Sequence, residues 1–173
     1  MDIVLYPDPR LRAKNKAIDD FDEALAQIAR DMFDLMYATS GVGLAAPQVG
    51  LNIKLLVFNS SGDADDTGSE IVLCNPKIVY KHKDKESAEE GCLSFPQVFG
   101  NVLRHTAVKV EAQNLLGEKI EVSFDDWQAR IFQHENDHLE GMLFIDRMTP
   151  VSKEMVKGQL LNLREDYAAD ADS

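Results

Sequence analysis

The chain has 173 residues, 45% of them apolar and 28% charged, which is the size and mixture of one ordinary globular domain with room for a core. No apolar run approaches the roughly 18–20 residues that a bilayer span needs. A formal charge of -12, from 18 basic and 30 acidic residues, argues against a surface built to neutralise nucleic-acid phosphates, so membrane and direct nucleic-acid partners are set aside. Only Cys74 and Cys92 are present, too few for a disulfide scaffold, and they favour a reducing compartment. The opening MDIVLYPDPR has neither the layout of a secretory signal nor the Arg/Ser-rich character of a transit peptide.

In chain order, FDEALAQIARDMFDLMYATSG places Leu25, Ile28, Met32, Leu35 and Met36 at helical spacing, with Asp22 and Glu23 suited to a first turn, and predicts an amphipathic helix ending before Gly41. The pattern then shortens to IKLLVF, EIVLCNPKIVY, AVKVEAQN and KIEVSF, which read as strands, the last two joined across LLGE as a hairpin. Residues 59–70, NSSGDADDTGSE, predict a mobile surface loop, and residues 80–91, YKHKDKESAEEG, a second connection. Ser123 and Asp126 form an S-x-x-D capping-box pattern ahead of DDWQARIFQHENDHLEG, with Gly141 where that helix stops. A last helix is expected in SKEMVKGQLLNLREDY, on Met155, Leu160 and Leu163, before the acidic tail AADADS. With no repeat and no interdomain linker, helices and antiparallel strands are expected to share one core as an α+β fold.

Within the second helix, His134 and His138 lie one turn apart on a common face, with Glu135 beside them. Two imidazoles at that spacing direct ring nitrogens at a single ion, and the glutamate is placed to touch a water on it. With four histidines in the chain, chance is a poor source of H-E-x-x-H; the bland alternative is a pair of hydrogen-bonded structural histidines. A catalytic metal usually has three protein ligands. Candidates for the third are Cys92, Glu140, Asp146 and His105. Cys92, in EEGCLSFP, is favoured because its thiolate is a strong ligand for zinc or ferrous iron, although a lone cysteine is more often a small buried hydrophobe, the reading given to Cys74. In GVGLAAPQVG, residues 41–50, neither the G-x-G-x-x-G nor the P-loop pattern is present. Its glycines let a backbone run close to another chain and pair with an extended substrate, Gln48 offering an amide donor, or else simply form a tight turn.

Taken together, GVGLAAPQ (41–48), EGCLS (90–94) and QHENDHLEG (133–141) resemble, in order and spacing, the three signature motifs of peptide deformylases. YPDPRLRAKNK, GLNIKLLVFN and ARIFQHENDHLEGMLFIDRM extend the likeness over nearly the whole chain, most of all to bacterial and plastid-type forms. The resemblance implies removal of the N-formyl group from the N-terminal methionine of new proteins. It places one divalent metal ion, natively Fe2+ and replaceable by Zn2+ or Ni2+, on Cys92, His134 and His138. It makes Glu135 the catalytic acid and base, and the Gln48 side chain and Leu93 backbone N–H the oxyanion donors. It lays the peptide beside Val42, Gly43, Leu44 and Gly91, with the methionine side chain against Val42, Trp127, Arg130 and Ile131. Glu90 and Arg104 are candidates for an ion pair steadying the cysteine segment.

The same likeness implies N-formylmethionyl nascent peptides as partners, transient contact with the ribosome, and a bacterial cytoplasm or plastid stroma as location. Two departures stand out. The arginine that some bacterial forms carry after the CLSFP proline is replaced by QVFGN, and the C-terminal segment mixes Lys153, Lys157 and Arg164 with Glu154, Glu165, Asp166, Asp170 and Asp172 instead of being uniformly basic. The expectation is a single catalytic domain over residues 1–173, with antiparallel sheets packed around the H-E-x-x-H helix between an N-terminal and a C-terminal helix. Competing readings are a zinc peptidase and an inactive homologue that binds N-terminal peptides.

Overall fold

Helix α1, Glu23–Ala38, starts where Asp22 accepts a hydrogen bond from the Leu25 N–H at 2.9 Å, an N-cap that satisfies one orphan donor of the first turn. Its buried stripe is Leu25, Ala29, Met32, Phe33 and Met36. The computed structural model describes residues 1–171; Asp172 of the acidic tail lies outside the described residues. After α1 come β1 (Gly43–Ala45), a 3-10 turn over Ala46–Val49, β2 (Leu55–Asn59) and β3 (Glu70–Lys81). Strands β4 (Lys85–Cys92) and β5 (Phe95–His105) precede β6 (Ala107–Gln113) and β7 (Lys119–Asp125). Five strands form one sheet in the order β1-β2-β3-β6-β7, and β4 and β5 form a second. Every pairing is antiparallel, as expected for α+β.

Helix α2, Asp126–Leu139, carries the two histidines and is buried on almost all sides. One side meets the larger sheet, where Phe132 stacks on Phe124 at 5.4 Å and Phe124 meets Phe58 edge-on at 5.3 Å. Fully burying such rings contributes roughly 1.5–3 kcal/mol each. Towards the smaller sheet, His134 faces the Phe144 ring at 5.8 Å, and Phe144 meets Phe95 at 5.1 Å. The chain closes with α3 (Phe144–Arg147), α4 (Pro150–Met155) and α5 (Lys157–Ala171).

Three local expectations are corrected and one is refined. Residues 80–91 are not a connection, since β4 occupies most of them and pairs with β5 from Lys85 onward. The expected capping box does not form, because Ser123 is held in the β7 ladder opposite Lys109 and the N-cap of α2 is Asp125, whose side chain makes no capping bond among the described residues; the helix follows the strand directly with Asp126 at φ 45°. Segment 59–70 runs over the surface between β2 and β3 as expected, anchored by the fully buried Asn59, whose amide donates to Tyr37 Oη and to the carbonyls of Asp63 and Asp66. The last helix is two, divided at Val156; Leu160 and Leu163 pack on the core, whereas Met155 is 77% exposed.

Candidate active site

The site forms where the end of β4 meets the middle of α2. The pairing register shifts between Gly91 and Cys92, an irregularity of the kind that re-aims a side chain, and the Cys92 sulfur reaches His138 Nε2 at 3.4 Å. The ligand atoms of Cys92, His134 and His138 all lie within 4.8 Å of one another. His134 commits its Nδ1–H to Glu90 Oε2 at 2.9 Å, which leaves Nε2 for the shared point. A tetrahedral ion with a metal–sulfur bond near 2.3 Å and metal–nitrogen bonds near 2.0–2.1 Å sets sulfur and nitrogen about 3.5 Å apart. The 3.4 Å between Cys92 Sγ and His138 Nε2 matches that value, and the clustered sulfur and imidazole donors suit one cation.

Glu90 sits behind His134 in a buried ionic network. Arg104 grips it through Nε–Oε1 and Nη2–Oε2, both at 3.0 Å, and Arg130 Nη1 adds a third contact at 2.8 Å. Arg104 also meets Asp137, whose other oxygen accepts from Arg147 Nη2 at 2.9 Å. Burial alone would raise the Glu90 carboxyl, but hydrogen bonds from His134 and Arg104 hold it well below the usual carboxylate range. A carboxylate fixed in this way orients the imidazole and selects its tautomer. Glu90→Ala would leave two guanidinium groups buried without their main partner, and a loss of about 3–5 kcal/mol is expected in denaturant unfolding.

Burial pushes the Glu135 carboxyl up to about 7, and its Oε2 has no hydrogen-bond partner among the described residues. Burial moves His138 well below its usual value, which favours the neutral form that metal ligation requires. Gly43 is a glycine for a steric reason, since a Cβ there would meet Glu135 Oε1 at 2.5 Å. Two residues on, the Ala45 N–H donates to Gln48 Oε1 at 2.9 Å, which turns the amide so that Nε2 donates to Ser94 Oγ at 3.3 Å and to Cys92 Sγ at 3.4 Å.

These groups open on a cleft of about 690 Å³ lined by Val42, Gly43, Gln48, Gly91, Leu93, Trp127, Arg130, Ile131 and Glu135, among others. Two of the expected peptide-contacting residues are placed differently from a simple wall. The Leu44 side chain is fully buried in the cluster beneath α1, so only its main chain is on offer to a peptide. Arg130 lies on the wall, yet its guanidinium is engaged by Glu90 and by the carbonyls of Val102 and Glu86 at 3.0 and 2.7 Å, because α2 turns that charge towards the smaller sheet. Trp127 stands at the rim, half exposed, its indole donating to the Ser60 carbonyl at 3.2 Å. Sequence reasoning missed Asp137, Arg147, Ser94 and the lining residues Ile3 and Phe99. Phe99 was visible only as an aromatic in β5, where it is 58% exposed and lies so close to Gly91 that a Cβ there would meet its ring at 2.6 Å.

A profile of the polypeptide deformylase family matches residues 1–154. The chain belongs to the polypeptide deformylase family. It is 52% identical over 166 residues, 95% of its length, to the chloroplastic/mitochondrial peptide deformylase 1B of Arabidopsis thaliana, and covers 60% of that protein. The chain thus spans about 60% of the plant relatives it matches. A peptide deformylase of Pseudothermotoga lettingae is 43% identical over 171 residues, 96% of each chain. Among solved structures, Arabidopsis thaliana peptide deformylase 1B in complex with an inhibitor superposes with a TM-score of 0.95 at 49% identity, over 100% of this chain and 95% of that one. The Thermotoga maritima peptide deformylase gives 0.81 at 41% identity, over 86% and 97%.

Proposed function

We propose that this chain is a metal-dependent peptide deformylase, a hydrolase that removes the N-formyl group from the N-terminal methionine of newly made proteins. The observation that carries the reading is the convergence of Cys92, His134 and His138 next to an unpartnered carboxyl of Glu135 in a cleft that also holds the oriented Gln48 amide. Family membership supports it further.

One divalent cation would be held by the Cys92 sulfur and the two imidazoles, ferrous iron being the family's native ion by resemblance and zinc or nickel its substitutes. Such an ion would supply Lewis acidity, lowering the pKa of a water towards neutrality and polarising a carbonyl. Glu135, with its carboxyl near 7, is matched to accept a proton from the attacking water at neutral pH and to return it to the departing amine. Gln48 Nε2 and the Leu93 N–H are the donors for the charge that develops on the formyl oxygen. The peptide backbone runs extended between the free edge of β1, at residues 42–44, and Gly91 of β4, with the methionine side chain against Val42, Trp127, Ile131 and the stem of Arg130. The small formyl hydrogen fits where the Gly43 backbone crowds Glu135; an acetyl methyl does not.

Residues 1–173 act as one catalytic domain in this reading. The partners are N-formylmethionyl nascent peptides, and the compartment is one where translation starts with formylmethionine, a bacterial cytoplasm or a plastid stroma. Ribosome docking through a uniformly basic last helix is not part of it, given the mixed charges of α5.

Formate release from formyl-Met-Ala-Ser, compared with the acetylated peptide and with cleavage of its internal bonds, tests the proposal on protein loaded with iron under anaerobic conditions. Release from the formyl peptide alone is expected. Internal cleavage would mark a peptidase, and binding without turnover an inactive homologue. Gln48→Ala should lower kcat about a hundredfold or more, and an unchanged kcat in steady-state kinetics would remove it from the oxyanion site.

A further inference from the structure

The two proposed oxyanion donors arrive from different parts of the chain. Gln48 stands on the 3-10 turn after β1, and Leu93 in the tight connection between β4 and β5. One oxygen can be held by both only if each lies about 2.7–3.1 Å from it, so the two segments must be fixed to within roughly 0.5 Å of each other. The direct contacts between them are long, from Gln48 Nε2 to Ser94 Oγ at 3.3 Å and to Cys92 Sγ at 3.4 Å.

A third segment spans the gap. The Val4 N–H donates to the Gln48 carbonyl at 2.7 Å, and the Tyr6 N–H donates to the Ser94 carbonyl at 2.9 Å. Alternate N–H groups of one short stretch therefore end on the residue that carries one donor and on the neighbour of the residue that carries the other. Val4 and Tyr6 are both buried, and Ile3 lines the cleft itself. The Tyr6 ring stacks on Phe95 with centroids 4.7 Å apart and planes at 22°. Its hydroxyl accepts from Arg164 Nε at 2.8 Å, with the guanidinium carbon 5.5 Å from the ring centroid. Phe95 follows Ser94 directly, so the ring stack and the main-chain bond pull on the same connection.

Building on the deformylase reading, we infer that Ile3–Tyr6 is a brace that sets the spacing between the Gln48 and Leu93 donors, with Tyr6 its positioning residue, held from α5 by Arg164. Tyr6 touches neither substrate nor ion; it acts through Ser94 and, by way of Val4, through Gln48.

A double-mutant cycle on metal-loaded protein separates this role from ordinary packing. Tyr6→Ala should lower kcat for formyl-Met-Ala-Ser about tenfold, with KM within about twofold and one ion per chain retained. In a Gln48→Ala background the same substitution should cost about twofold or less, because the donor it aligns has gone. Tyr6→Phe, which keeps the stack and removes the acceptor for Arg164, should cost about threefold and show the same loss of effect. If Tyr6→Ala does not fold, Tyr6→Phe and Arg164→Ala decide in the same cycle. A lowered Tm with unchanged kcat, or an effect of equal size in both backgrounds, overturns the brace. A parent protein that releases no formate would instead overturn the deformylase reading, and the brace with it.

Discussion

Replacing Glu135 by Gln is expected to leave the ion bound and to lower kcat by roughly 10²–10⁴-fold, the usual worth of a positioned general acid or base. The amide matches the carboxyl in shape, so the packing of Gly43 against this side chain survives, while a carboxyl able to take up and return a proton is removed. Burial places the native carboxyl at about 7, where transfer in both directions is nearly balanced. Steady-state kinetics with formyl-Met-Ala-Ser, together with metal analysis of the same preparation, checks this. A variant that keeps most of its turnover would exclude Glu135 from proton transfer, and one that loses its ion would show that the residue holds the centre together.

Cys92→Ala is expected to release the ion, lowering affinity by more than about a hundredfold, since even loss of an outer hydrogen-bond partner costs 10–100-fold. The two imidazoles that remain come from one helix and cannot enclose a cation from two sides; the sulfur supplies the second element, β4. Chelator competition measures the loss. Folding should survive, because Cys92 is only partly buried at the edge of its apolar cluster and the Glu90 network stays intact. Full occupancy in this variant would exclude the cysteine as a ligand.

The sequence was most legible where one physical signal decided the outcome. The 3.6-residue period of Leu25, Met32 and Met36 defined α1, and strand runs separated by LLGE defined the β6–β7 hairpin. The i, i+4 histidines were readable because a helix of any origin puts them on one face. That Cys92 lies beside them was readable from its thiolate chemistry, which favoured it over Glu140, Asp146 and His105, and more firmly from the order of three motifs. Asp146 in fact pairs with Arg12, and Glu140 with Lys54.

The rest was hidden where tertiary contacts override local pattern. Strand β4 has no apolar alternation because its most deeply buried position is Glu90, a charge made tolerable only by Arg104, Arg130 and His134. Arg130 read as part of a substrate wall, for nothing in its neighbours announces that its guanidinium is committed across to β4 and β5. Tyr6 carries no local signal of its contacts. Its partners Ser94, Phe95 and Arg164 are all distant in sequence, so no window of residues contains them.

One divalent ion is expected to bind through a single sulfur and two imidazole nitrogens. X-ray absorption at the zinc edge, on protein loaded with one equivalent of zinc, tests it most directly. One sulfur at about 2.3 Å with the remaining scatterers light and near 2.0–2.1 Å is the predicted first shell. A shell without sulfur, or with sulfur that persists in Cys92→Ala, would contradict it.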